Sequence, residues 1–195
     1  MCAEAAVRFE KPDASPGRTI QVGAHEEGFL IRRDGEAVTV FSGESRVLDP
    51  RTDKGMLVAK RGAVQGVAGV GNIPLDGGRA LGGWISFLCD PLSLRRFVLR
   101  YTEDLIQGKP VRDILCEHMR QYLRTAFAAA NKDADSRSLR RRVQEEIRSG
   151  AADALLCIGW QLKEIRLEHF QITEEGYNGT GKPAGSGGHP GQPGR

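Results

Sequence analysis

The chain has 195 residues, 39% of them hydrophobic and 27% charged, with a formal net charge of +3. So small an excess permits a weak preference for anionic surfaces and does not argue for nucleic acid, which favours a larger basic excess with interleaved aromatics. No run of about 18 apolar residues exists, so no membrane-spanning helix is expected, and residues 1–18 lack the basic start and apolar centre of a secretory signal.

Residues 1–19 are polar, contain Pro12 and Pro16, and read as a flexible lead. Strands are expected at Ile20–Val22 and Gly28–Arg33. Asp34-Gly35 then separates Phe29–Arg33 from Glu36–Phe41, and Asp-Gly between β-rich runs predicts a hairpin with a type I′ turn, which needs positive φ at both positions. Ser42-Gly43 ends that hairpin and Val47–Pro50 closes it. Met56–Lys60 and Ala63–Val70 are further strand candidates. Asn72–Gly83, with Pro74 and several glycines, reads as a mobile connection.

Trp84–Cys89 is nearly all apolar and predicts a central strand. Arg96–Tyr101 alternates, with Phe97, Leu99 and Tyr101 on one side, and predicts a half-buried strand. After Pro110, the spacing of Val111, Ile114, Leu115, Met119, Tyr122, Leu123 and Phe127 predicts an amphipathic helix to about Ala130. Asn131–Ser138 is a polar break in which Ser136 or Ser138 can cap the next helix. That helix, about Leu139–Ile158, presents Leu139, Val143, Ile147, Ala151, Ala154, Leu155 and Ile158 on one face. Gly150 should weaken it by roughly 1 kcal/mol relative to Ala. Gly159 is a left-handed terminator, with Trp160 folding back on the last turn. In the closing strand, Leu162–Ile172, Ile165 and Leu167 share one face but Phe170 and Ile172 the other, so a bulge is expected near Glu168-His169. From residue 173 the chain becomes Gly- and Pro-rich, a composition that reads as a disordered tail. These readings predict an α+β domain over 20–172: an antiparallel or mixed sheet from the N-terminal half, two amphipathic helices, and a closing strand.

Motifs for chemistry are sparse. The glycines of 71–83 match neither GxxxxGK[ST] nor a GxGxxG after a strand, so a loop is favoured over a phosphate cradle. No Ser stands in GxSxG. His25, His118, His169 and His189 are isolated. His118, with Glu117 beside it and Asp113 on the same helix, could be a general base, but a boundary histidine on an amphipathic helix is the favoured reading. Cys2, Cys89, Cys116 and Cys157 are dispersed without ligand spacing, and read as reduced thiols of a cytoplasmic chain rather than metal ligands. No cofactor and no metal are expected.

Two surfaces remain as candidates. Arg137, Arg140, Arg141, Arg142 and Arg148 form a basic cluster, partly balanced by Glu145 and Glu146, that could meet acidic lipid headgroups or a partner. Trp84, Ile85, Phe87 and Leu88 could seal a subunit interface or dip into a membrane if their strand is exposed, though a core role is favoured.

Taken together, Val22, Glu26, Gly28, Asp34, Gly35, Val40, Phe41 and Gly43, then Pro110–Leu115 and the run Leu155–Ile165 through Gly159, resemble the SPFH (band 7) domain of stomatins, prohibitins and flotillins, in its soluble bacterial branch. The resemblance covers roughly 20–172. It implies a compact α+β domain without an active site, self-associating or docking another protein, often at a membrane. The chain departs from the pattern in having no apolar anchor in 1–19 and no coiled coil after Thr173. The expectation is a non-catalytic scaffold, cytoplasmic and peripheral to the inner face of a membrane. Alternatives are a small-molecule-binding or hydrolytic α+β enzyme without a linear motif, and an adaptor that binds a client by strand addition to the Gly28–Phe41 hairpin.

Overall fold

The computed structural model describes residues 4–12, 19–75, 79–130 and 136–174. Among them, nine strands and four helices alternate in the order β1 (Ala6–Glu10), β2 (Thr19–Gln21), β3 (Glu26–Arg32), β4 (Ala37–Val40), β5 (Ser45–Val47), β6 (Asp53–Lys60), β7 (Val64–Leu75), β8 (Arg79–Pro91), α1 (Leu94–Arg100), α2 (Thr102–Ile106), α3 (Val111–Ala130), α4 (Ser136–Leu156) and β9 (Trp160–Glu174). The fold is α+β. Its strands make three antiparallel sheets, ordered β1-β6-β3-β4, β2-β5 and β7-β8-β9, with the C-terminal strand closing the last.

Strand β6 explains how the first sheet is held. Met56, Leu57, Val58 and Ala59 are all buried, because successive side chains leave a strand on opposite faces. Leu57 and Ala59 join Phe29 and Ile31 in the main core, while Met56 and Val58 join Ile20, Val22, Val40 and Leu48 in a second, smaller core under β2-β5. The main core continues through Ile85, Phe87 and Cys89 of β8 into the apolar stripes of α3 and α4. Helices therefore cover one face of the β7-β8-β9 sheet.

Several sequence expectations change. The lead at 1–19 contains β1, which adds to the free side of β6, with Val7 and Phe9 packed on the main core. The Asp34-Gly35 turn is not type I′: only Gly35 is left-handed, at φ 92°. Gly35 N–H donates to Arg32 O at 3.1 Å and Arg32 N–H to Glu36 O at 2.8 Å. That is a three-residue loop, a type I turn followed by a left-handed Gly. Asn72–Gly83 is not a loose connection, since β7 runs to Leu75 and β8 starts at Arg79; the ladder needs only peptide groups, so glycines pair there as well as any residue, with an irregularity where Asn72 takes φ 57°.

Arg96–Tyr101 is helical, not extended. Ser93 caps α1, its Oγ accepting from Arg96 N–H at 3.3 Å, and Leu94, Phe97 and Val98 share the buried face. Phe97 and Leu99 fit a period of two, but Leu99 is 47% exposed, and only a helical period accounts for Leu94 and Val98 as well. Helix α3 spans the expected residues, and Val111, Ile114, Leu115, Met119, Leu123 and Phe127 are buried. The polar break at 131–135 lies outside the described residues, as does the tail from 175. Gly159 ends the second long helix at φ 85°. Its carbonyl accepts from the Leu92 and Ser93 amides, both at 2.9 Å, which ties the start of β9 to the start of α1. Trp160 packs edge-on against Phe97 of α1 and shares the main core with Leu155 of α4 and Ile158 just beyond it. The expected bulge is present: Trp84 pairs His169 and Ile85 pairs Leu167, leaving Glu168 as the extra residue, and a second slip falls at Lys163.

Candidate interaction surfaces

The face of the β7-β8-β9 sheet away from the helices is open. Its rungs follow from register: Gln65, Leu88 and Glu164; Val67, Ser86 and Arg166; Gly69, Trp84 and His169. Trp84 is 44% exposed and Val67 60%, and Trp84 stacks flat on His169 with ring centroids 4.2 Å apart. Ser86 Oγ donates to Glu168, the bulge residue, which the extra position turns toward this face. A cleft of about 300 Å³ lies here, lined by Gln65, Ser86, Phe87, Leu88, Glu164, Arg166 and Glu168. Alternation splits the predicted strand: Trp84 and Leu88 belong to this side, whereas Phe87 and Ile85 are core. The Phe87 side chain thus packs in the core rather than standing out from this face.

On α4, Arg140, Arg141, Arg142 and Arg148 are exposed, and the Arg137 side chain lies outside the described residues. Arg141 pairs with Glu145 at 2.8 Å one turn on, an exposed pair that solvent screens. Arg148 shares a small cleft of about 170 Å³ with Gln144, Ile165, Arg166 and Leu167. Arg166 lines both clefts. It joins the α4 basic face to the open sheet face, a link between two candidate surfaces that linear sequence hides.

His118 is not placed as a general base. Its Nε2–H donates to Ala154 O at 2.9 Å, so in the neutral ring Nδ1 is bare and accepts from Tyr101 O–H at 2.9 Å. Burial, with Arg100 nearby, pushes its pKa below the usual histidine range. The ring stitches α3 to α4 and to the α1–α2 junction. Glu117 is taken up by Arg120 and Asp113 lies 3.7 Å from Arg112.

A groove of about 800 Å³ between β7 and α3, lined by Gln65, Val67, Arg112, Cys116 and Arg120 with Glu4 at its end, was not foreseen, since its walls come from three distant segments. Burial raises the Cys116 thiol pKa and pushes Cys89 up to about 12, the opposite of an activated nucleophile. Among the described residues no cluster of three or more His, Cys, Asp or Glu could hold a metal ion, and no helix is long and apolar enough to cross a membrane. Comparison with known proteins adds no family: no protein-family model matches the chain, and no curated protein matches it.

Proposed function

We propose that this chain is a non-catalytic scaffold of the SPFH kind, an oligomerising or docking module that works against the inner face of a membrane. The observation that carries the reading is the surface from Trp84 and Val67 across Arg166 to Arg148 on α4. It combines exposed apolar area with cationic groups on a rigid sheet and helix, the composition that suits a protein partner or an anionic headgroup layer. The element order, an early hairpin followed by helix, helix, Gly and strand, supports the SPFH resemblance. The engagement of His118 by Tyr101 and the Ala154 carbonyl, and the raised thiol pKa of Cys116, count against the enzyme alternative.

Vesicle flotation tests the membrane part. Co-flotation with phosphatidylserine vesicles at low salt, absent with neutral vesicles, is the expected result. No co-flotation with either overturns the membrane part and leaves a protein partner as the occupant. Strand addition has one supporting observation: β3 is paired on both sides, but β4 ends its sheet. A client strand bound there would survive Trp84→Ala and be lost on Thr39→Pro.

A further inference from the structure

Trp84 is held with one side free. His169 covers one face of the indole at an interplanar angle of 17°. Toward β7 the cross-strand partner is Gly69, and a Cβ there would stand 3.2 Å from Trp84 Cβ. Gly82, two residues earlier on the same side of β8, adds no side chain, and a Cβ at Gly71 would meet nothing within 4 Å. The exposed ring thus stands beside a shelf of bare backbone. Such a shelf takes a proline ring well: it is rigid before binding, its C–H groups face the π cloud, and extended proline segments dock on aromatic surfaces at low entropic cost.

The chain carries such rings itself. Pro183, Pro190 and Pro193 fall in residues 175–195, outside the described residues, together with Lys182 and Arg195. This segment leaves from Glu174 on β9, the strand that carries His169. Returning from position 174 to position 169 covers about 17 Å of strand, and the nine residues to Pro183 span up to about 28 Å if extended. The reach suffices.

We propose that the proline-bearing segment 175–195 docks on the Trp84–Gly69 shelf of its own chain. The proposal does not depend on the scaffold reading. Acrylamide quenching of the full chain tests it, because the chain has two tryptophans and Trp160 is fully buried, leaving Trp84 as the quenchable one. Tethering puts the segment at an effective concentration in the millimolar range, so a contact of millimolar strength is about half formed; the quenching constant should rise about twofold when Pro183, Pro190 and Pro193 are all changed to Ala in the full chain. An unchanged constant overturns the proposal. A rise that appears only at high protein concentration assigns the contact to a second copy and also overturns it. In proline-labelled full chain, ring-current displacement of proline δ protons that Trp84→Leu abolishes is the second expected result, and proline shifts indifferent to Trp84 contradict it.

Discussion

The Tyr122 hydroxyl donates to the Glu146 carbonyl at 2.7 Å and lies where a Cβ on Gly150 would stand, 2.5 Å away. The glycine in the middle of α4 is thus a packing requirement between the two long helices. Helix propensity alone favours Gly150→Ala by roughly 1 kcal/mol. The contact reverses the sign: Gly150→Ala should destabilise by about 1 kcal/mol or more, and in a Tyr122→Leu background the same change should stabilise. Urea unfolding of the four chains of that cycle reads the coupling directly.

Gly159 is the stricter case. It combines φ 85° with a Cβ direction that runs into the Ser93 carbonyl, and backbone cannot give way as a side chain can. Gly159→Ala should cost about 3 kcal/mol, combining left-handed strain with displacement of the β9–α1 junction. A drop in urea midpoint no larger than that of a surface alanine substitution would contradict it.

His118 supplies a pH dependence with a definite sign. Burial lowers its folded pKa below the unfolded value of about 6.5, so the unfolded chain binds the proton more readily. Its stabilising hydrogen bonds are complete above about pH 6.5 and are lost as pH falls from there through the folded pKa. The urea midpoint should fall between pH 7.5 and 5.5 more steeply in the native chain than in His118→Gln, which keeps a donor for Ala154 but does not titrate. Equal slopes would remove His118 as the cause.

The exposed arginines of α4 predict a salt-dependent attraction to anionic bilayers. Each basic residue at such a surface contributes about 1 kcal/mol. Arg140→Gln and Arg148→Gln should each weaken partitioning to phosphatidylserine vesicles about fivefold, with little change in stability. Arg141→Gln should do less, because its charge is already paired with Glu145. Vesicle sedimentation at two salt concentrations separates these outcomes.

Legibility in the sequence tracked how many residues voted for one period. Helix α3 was plain because seven apolar residues agree on one stripe, and the Glu168 bulge because Leu167 and Phe170 break strict alternation. Helix α1 reads as a strand because Phe97, Leu99 and Tyr101 satisfy a period of two, and Val98 decides for a helix only together with Leu94, which lies before Arg96–Tyr101. Strand β1 offers Val7 and Phe9 alone, too few to outweigh the prolines that follow. The β7–β8 arm was hidden because glycines mark turns locally, while its pairing depends on a partner strand. The candidate surfaces were half legible. Charge and aromatics flagged Arg148 and Trp84, but the exclusion of Phe87 required knowing which face the helices cover. The join at Arg166 required the register of β9.

The central claim is a domain that assembles or docks rather than reacts. Native mass by light scattering across a concentration series tests it most directly. A large oligomer whose mass holds steady on dilution is the predicted result, and it should weaken when Trp84 and Val67 are both changed to Ser. A species of one chain's mass at every concentration would contradict self-assembly and leave this face to a separate protein client.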